Sequence, residues 1–183
     1  FEILRDPTRL KVLLTLAATF SLSRRIRGAQ AGPRTAHFAS GLTLLFLYLV
    51  LDVYSREIVA HEVHEAESAE YAAQLIEQAV HREGVPHGVL VVHQDNGSPM
   101  KGSTYLAKLA DLGIRPSYNR PGVSDDNAYA ESLFRTCKYR PDFPGRFATP
   151  EEARAWMLTF TRWYNHEHKH RNLKFVSPAS RSS

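Results

Sequence analysis

Two carboxylates stand out for chemistry, Asp95 and Glu131, with 35 residues between them. Asp95 follows the apolar run Gly88–His93 and opens a turn-prone segment, Gln94-Asp95-Asn96-Gly97. Ligand sites in α/β folds lie outside the carboxyl ends of such strands. Glu131 falls in the first turns of a helix read over Ala128–Tyr139, and Arg135 and Lys138 follow it at spacings of four and three. Those spacings put all three near one azimuth, away from Tyr129, Leu133 and Phe134. A carboxylate and cations along one face can take a hard divalent cation and backbone phosphate. Two such ions activate a nucleophile and stabilise a leaving oxygen in phosphodiester chemistry. The plainer alternative for Glu131 is a surface ion pair with Arg135. For Asp95 it is a loop cap on Gly97 or Ser98.

The elements that must position these residues begin clearly after Gly41. Leu42–Val53 is a long apolar run of branched and aromatic residues and reads as a buried strand. Tyr54–Glu57 turns the chain and Ile58–Val63 reads as its paired strand. Ser68 caps a helix that ends at Gly84-Val85-Pro86. Gly88–His93 reads as a parallel strand, Ser103–Leu112 as a helix and Ile114–Tyr118 as a strand. A turn-rich loop, Arg120–Asn127, leads into the Glu131 helix, and Pro150 opens a last helix to about His168. This order predicts helices against a mixed sheet. Before Gly41 the pattern is weaker. Leu10, Leu13, Leu14, Leu16 and Ala17 suggest a helix within residues 1–27, and Thr35–Ala39 a short strand.

The chain has 183 residues, one cysteine and a net charge of +4. One cysteine excludes an internal disulfide framework and a multi-cysteine zinc module. The charge is unevenly spread. Residues 1–40 carry seven Lys/Arg and two acids, residues 41–134 six and thirteen, and residues 135–183 ten and four. An acidic middle between basic ends suits cations in the middle and phosphates at the ends. Leu42–Leu51 is too short to cross a bilayer as a helix, so no membrane partner is expected and a cytoplasmic location is. His93, His166, His168 and His170 do not share a face and have no accompanying thiol, which disfavours zinc. Cys137 has no evident base, and Trp156, Phe160 and Trp163 read as core.

Four ordered stretches resemble the catalytic core of DDE transposases of the bacterial insertion-sequence class, related to retroviral integrases. They are YLVLDVYSREIV (48–59), HQDNGSPMKG (93–102), RPGVSDDNAYAESLFRTCKYR (120–140) and WYNHEHKHRNLKFVSPASR (163–181). The resemblance implies an RNase H-like fold, with a mixed sheet flanked by helices. It implies that Asp95 and Glu131 are the catalytic and metal-binding acids for Mg²⁺ or Mn²⁺. Lys138, Arg135 and Asn96 would support them or hold phosphate. The implied activity is DNA cleavage and strand transfer in transposition, on double-stranded DNA of element ends and target, in a homo-oligomer of bacterial origin.

One element departs from the pattern. The family's first catalytic Asp lies on the first sheet strand, upstream of the LDVYSR motif, and residues 29–41 hold no Asp or Glu. Asp52 belongs to the second strand motif and does not match the missing acid. His37 is the other ligand-capable side chain in the region, and imidazole is a poor Mg²⁺ ligand. Asp52 and His37 are therefore weak secondary candidates. The first strand is expected to be divergent or incomplete, with residues 1–40 an atypical basic segment and 41–183 the core-like domain. The expected function is transposition chemistry, with a defect where the first acid is lacking. The alternative is a non-catalytic DNA-binding or assembly protein derived from a transposase.

Overall fold

A computed structural model describes residues 11–23, 42–94, 97–118 and 128–182. The elements are β1 (Lys11–Ser23), β2 (Leu42–Asp52), β3 (Ile58–His64), α1 (Ala69–Glu83), β4 (Leu90–Gln94), α2 (Ser98–Lys101), α3 (Ser103–Asp111), β5 (Arg115–Tyr118), α4 (Ala128–Lys138), α5 (Pro150–His166) and α6 (Pro178–Ser182). A 3₁₀ turn spans Arg171–Leu173. The five strands form one sheet in the order β3-β2-β1-β4-β5. β1 pairs antiparallel with β2 and parallel with β4, β2 pairs antiparallel with β3, and β4 parallel with β5.

The central strand is the main correction to the sequence reading. Residues 11–23 are not helical: they form β1 and join the two halves of the sheet. Apolar residues at helical spacing also occur in a strand covered on both faces, because such a strand is apolar throughout. Here the sheet position decides, since β1 supplies backbone pairing to a neighbour on each side. Leu13 and Thr15, both fully buried, are two residues apart, as the strand period requires. The short strand expected at Thr35–Ala39 lies outside the described residues. β2, β3, α1, β4, α3, β5, α4 and α5 match the sequence reading to within a few residues at their ends, whereas the short α2 and α6 and the 3₁₀ turn were not anticipated.

β2 shows how the layers separate. Leu45, Leu47, Leu49 and Leu51 face one core, built with Ala130, Leu133 and Cys137 of α4 and Ala153, Met157, Phe160 and Tyr164 of α5. Tyr48 and Val50 face the other, built with Leu13, Leu90 and Val92 of the sheet, five residues of α1, and Tyr105 and Leu109 of α3. The alternation makes a three-layer sandwich, with α1 and α3 on one side of the sheet and α4 and α5 on the other.

Local caps fix the entry and exit of these elements. Ser68 Oγ accepts the Glu70 N–H at 3.0 Å at the start of α1, and Ser68 N–H donates to the Tyr48 hydroxyl at 2.8 Å. α1 ends on Gly84, whose φ of 58° is the left-handed cap conformation that glycine adopts without a Cβ penalty. Cys137 faces the core, and burial pushes its thiol up to about 12. The thiolate is the reactive form. Cys137 is therefore expected to resist a thiol reagent such as DTNB at pH 8 in the native protein and to react at once in urea. Rapid native labelling would contradict this packing.

Candidate functional site

The β2–β3 turn carries much of the sequence signature, and its residues are occupied in building the turn. Asp52 Oδ1 accepts the Tyr54 N–H at 2.8 Å. The Asp52 carbonyl accepts the Arg56 N–H at 2.8 Å, and the Asp52 N–H donates to the Glu57 carbonyl at 2.9 Å. Ser55 Oγ accepts the Glu57 N–H at 3.2 Å. Arg56 takes φ 67° to close the turn. Asp52 is buried and lies level with Val92, because both are in register with Leu13. It is two strand spacings from β4, roughly 10 Å. Its carboxylate is a turn cap.

The WYN signature has a similar explanation. Asn165 is buried on α5. Its Oδ1 accepts the Ile58 N–H and its Nδ2 donates to the Ile58 carbonyl, both at 2.9 Å. The amide thus reads the first residue of β3 as another strand would. Arg82 Nη1 donates to the Val59 carbonyl at 2.9 Å and Arg154 Nε to the Val63 carbonyl at 3.0 Å. Side chains from α1 and α5 therefore occupy backbone acceptors of an edge strand, which limits pairing with another chain.

Helix α4 presents Glu131, Arg135 and Lys138 to solvent and buries Ala130, Leu133 and Cys137. The division into two faces matches the sequence reading. Among the described residues no ion pair joins Glu131 to Arg135. Arg135 instead approaches the Tyr139 ring, 5.9 Å from its centroid, and Tyr139 is 80% exposed. Asp95, Asn96 and His37 lie outside the described residues. Gln94, the last residue of β4, is buried and in register with Thr15 of β1. Its Nε2 donates to the Met100 carbonyl at 3.2 Å. The Tyr105 hydroxyl donates to Thr15 Oγ1 at 3.4 Å.

β1 lies between β2 and β4, and its sequence KVLLTLAATFSLS contains neither Asp nor Glu. Among the described residues no group of three His, Cys, Asp or Glu side chains converges. His168 and His170 do meet, with ring centroids 4.5 Å apart. Burial, the His168 ring and the Arg56 guanidinium together push His170 down to about 4. The ring is then neutral when folded, but takes a proton below its ordinary value of 6.5 when unfolded. Its contribution to stability is present above pH 6.5 and is lost as pH falls towards 4. Burial also lowers His61 and His168, which adds in the same direction. The urea midpoint of the parent should fall more between pH 7 and pH 4 than that of His170→Gln. Equal falls would remove His170 from the account.

A mixed five-stranded sheet with α1 and α3 on one face and α4 and α5 on the other is an RNase H-like integrase-core architecture. Two family models described as "Integrase core domain" match the chain, at residues 32–124 and 112–178. The chain belongs to this family, which joins bacterial insertion-sequence transposases to retroviral integrases. It is 31% identical over 135 residues to the transposase for insertion sequence element IS904 of Lactococcus lactis, covering 73% of this chain and 53% of that protein. It is 29% identical over 137 residues to a transposase-like protein of Haemophilus influenzae, covering 74% and 62%. The chain thus spans about half the length of the curated relatives it matches.

Solved structures agree on the fold. The catalytic core domain of BIV integrase superposes with a TM-score of 0.62 at 16% identity, covering 92% of this chain and 91% of that one. The HTLV-2 integrase catalytic core domain in complex with magnesium gives 0.62 at 11% identity, covering 98% and 100%. Among the described residues no helix is long and apolar enough to cross a membrane. The sequence reading treated Arg56 only as part of a turn and missed its contact with α4. Its guanidinium carbon lies 3.3 Å from the centroid of the Tyr129 ring. The only local signal was the SR pair within LDVYSR.

Proposed function

We propose that this chain binds duplex DNA along the outer face of α4 and the carboxyl end of β4, and that its strand-cleavage chemistry is impaired. Arg135 and Lys138 would hold backbone phosphates, with the exposed Tyr139 ring beside them. Asp95 and Glu131 would be the acids of the phosphodiester site, and Asn96 would shape the loop between β4 and α2. The observation that carries the impairment is the composition of β1, a central strand without an acid.

Mg²⁺ and Mn²⁺ favour oxygen ligands. The carboxylates of Asp95 and Glu131 are donors of the right kind. β1 adds none, and the Asp52 carboxylate already accepts the Tyr54 N–H. His37 would supply a nitrogen that such ions disfavour. The donors therefore fall short of a two-ion site. What the chain retains is the phosphate-holding face of α4 and a negatively charged pair that an incoming phosphodiester would meet.

The test combines binding and chemistry. Fluorescence anisotropy on short duplexes should show salt-dependent binding. Nicking and joining of supercoiled plasmid in Mg²⁺ or Mn²⁺ should stay at background. Cleavage that Asp95→Asn and Glu131→Gln both abolish would overturn the impairment. Absence of binding at low salt would overturn the DNA reading itself. Chemistry in a homo-oligomer is covered by running the assay across protein concentration.

A further inference from the structure

A pocket of about 140 Å³ lies between the β2–β3 turn, the first turns of α4 and the turn at His170–Leu173, and its walls include Arg56, Tyr129, Ser132, Tyr164, His170 and Leu173. Two nitrogens here are buried and make no hydrogen bond to protein, Arg56 Nη1 and His170 Nε2. Among the described residues no carboxylate lines the pocket. Among the described residues, none of the ion pairs includes Arg56. Its guanidinium instead stacks on Tyr129, an arrangement that fixes the plane of the fork without neutralising its charge.

A partly buried guanidinium without a counter-charge is costly, and an unmade hydrogen bond on it adds to that cost. Its field is felt across the pocket, contributing to the lowering of His170 and acting to lower the Tyr164 hydroxyl against the larger effect of burial. A water occupies roughly 30 Å³ in the liquid, so the space exceeds what a single bridging water fills. The matching ligand carries negative charge and several acceptor oxygens. A guanidinium fork suits an oxyanion of the phosphate class. A neutral imidazole with its proton on Nε2 donates a further hydrogen bond, and Ser132 adds a hydroxyl-bearing residue to the lining.

We propose that this pocket is a binding site for a phosphate-class oxyanion, held by Arg56 Nη1 and His170 Nε2. The site is separate from the outward face of Glu131, Arg135 and Lys138. It uses Ala128, Tyr129 and Ser132 of the same helix, so its occupation couples the start of α4 to the β2–β3 turn. The anion is either free phosphate or a phosphate group on a nucleic-acid strand.

The experiment titrates the intact chain with inorganic phosphate at constant ionic strength, using potassium chloride as the control. At ten times Kd the melting temperature should rise by roughly 3–6 °C. The His170 ring ¹⁵N shifts should move saturably, with its titration midpoint displaced upwards. A short duplex bearing a 5′-phosphate, compared with its 5′-hydroxyl counterpart, separates the two sources. Larger shifts with the phosphorylated duplex identify a strand terminus, equal shifts with both duplexes identify a backbone phosphate, and shifts with inorganic phosphate but neither duplex leave free phosphate as the ligand. Arg56→Gln should abolish the response and His170→Phe should weaken it. If Arg56→Gln does not fold, the His170 shifts of the unsubstituted protein decide. No phosphate-specific movement of that ring means the pocket holds only water, and the proposal is overturned. An unchanged response in folded Arg56→Gln overturns it as well.

Discussion

Replacing Asn165 with leucine is expected to lower the unfolding free energy by about 2–6 kcal/mol, because two buried backbone groups of Ile58 lose their partners together. Leucine matches the asparagine in length and brings apolar bulk to the α5 core. A cavity argument alone would therefore predict a small change. The amide does something leucine cannot: it donates and accepts at one residue, satisfying both the N–H and the carbonyl at the start of β3. Asn165→Asp is the informative companion. Its carboxylate can accept the Ile58 N–H but, when ionised, cannot donate to the carbonyl. It should also be strongly destabilising at neutral pH. Urea unfolding followed by circular dichroism measures both, and an Asn165→Leu variant within 1 kcal/mol of the parent, a margin set against the same range, would sink the account.

The second large effect is on DNA affinity. Arg135→Glu combined with Lys138→Glu should weaken duplex binding roughly 60-fold near 0.1 M salt, counting two lost phosphate contacts. The slope of log affinity against log salt should become shallower by about 2. Sequence preference should not change, since contacts to phosphate position the protein without reading bases. Both residues are exposed and their helix is anchored by Ala130, Leu133 and Cys137, so thermal stability should stay close to that of the parent. Unchanged affinity would move the DNA surface elsewhere. An unchanged salt slope beside a large loss would point to a structural effect on α4.

Much of the fold was legible where one physical pattern had no competitor. β2 alternates four leucines to one core and Tyr48 and Val50 to the other. α1 announces both its ends through Ser68 and Gly84. β1 was misread because its apolar residues satisfy helical spacing as well as burial on two faces, and only pairing with β2 and β4 separates these readings. For the site, the outer face of α4 followed from spacing alone. The roles of Asp52 and Asn165 did not, because a carboxylate or amide within a recurring motif looks the same whether it caps a turn or meets a ligand. Their partners are backbone groups, and those of Asn165 are 107 residues away in the chain. Arg56 and His170 are also brought together only by the folding of distant segments.

The central position of β1 has a consequence for quality control of the chain. A protease cut or an internal start that removed residues 11–23 would leave β2 and β4 each with an uncovered row of N–H and C=O groups facing the gap. The uncovered flank of β2 would be eleven residues long, with the sequence LTLLFLYLVLD. That segment is rich in β-forming and apolar residues, has no proline, and carries its single charge at the very end, a composition prone to stacking into fibrils. β1 would thus serve the chain by keeping both of these flanks paired. Shortened forms of this protein are expected in the insoluble fraction.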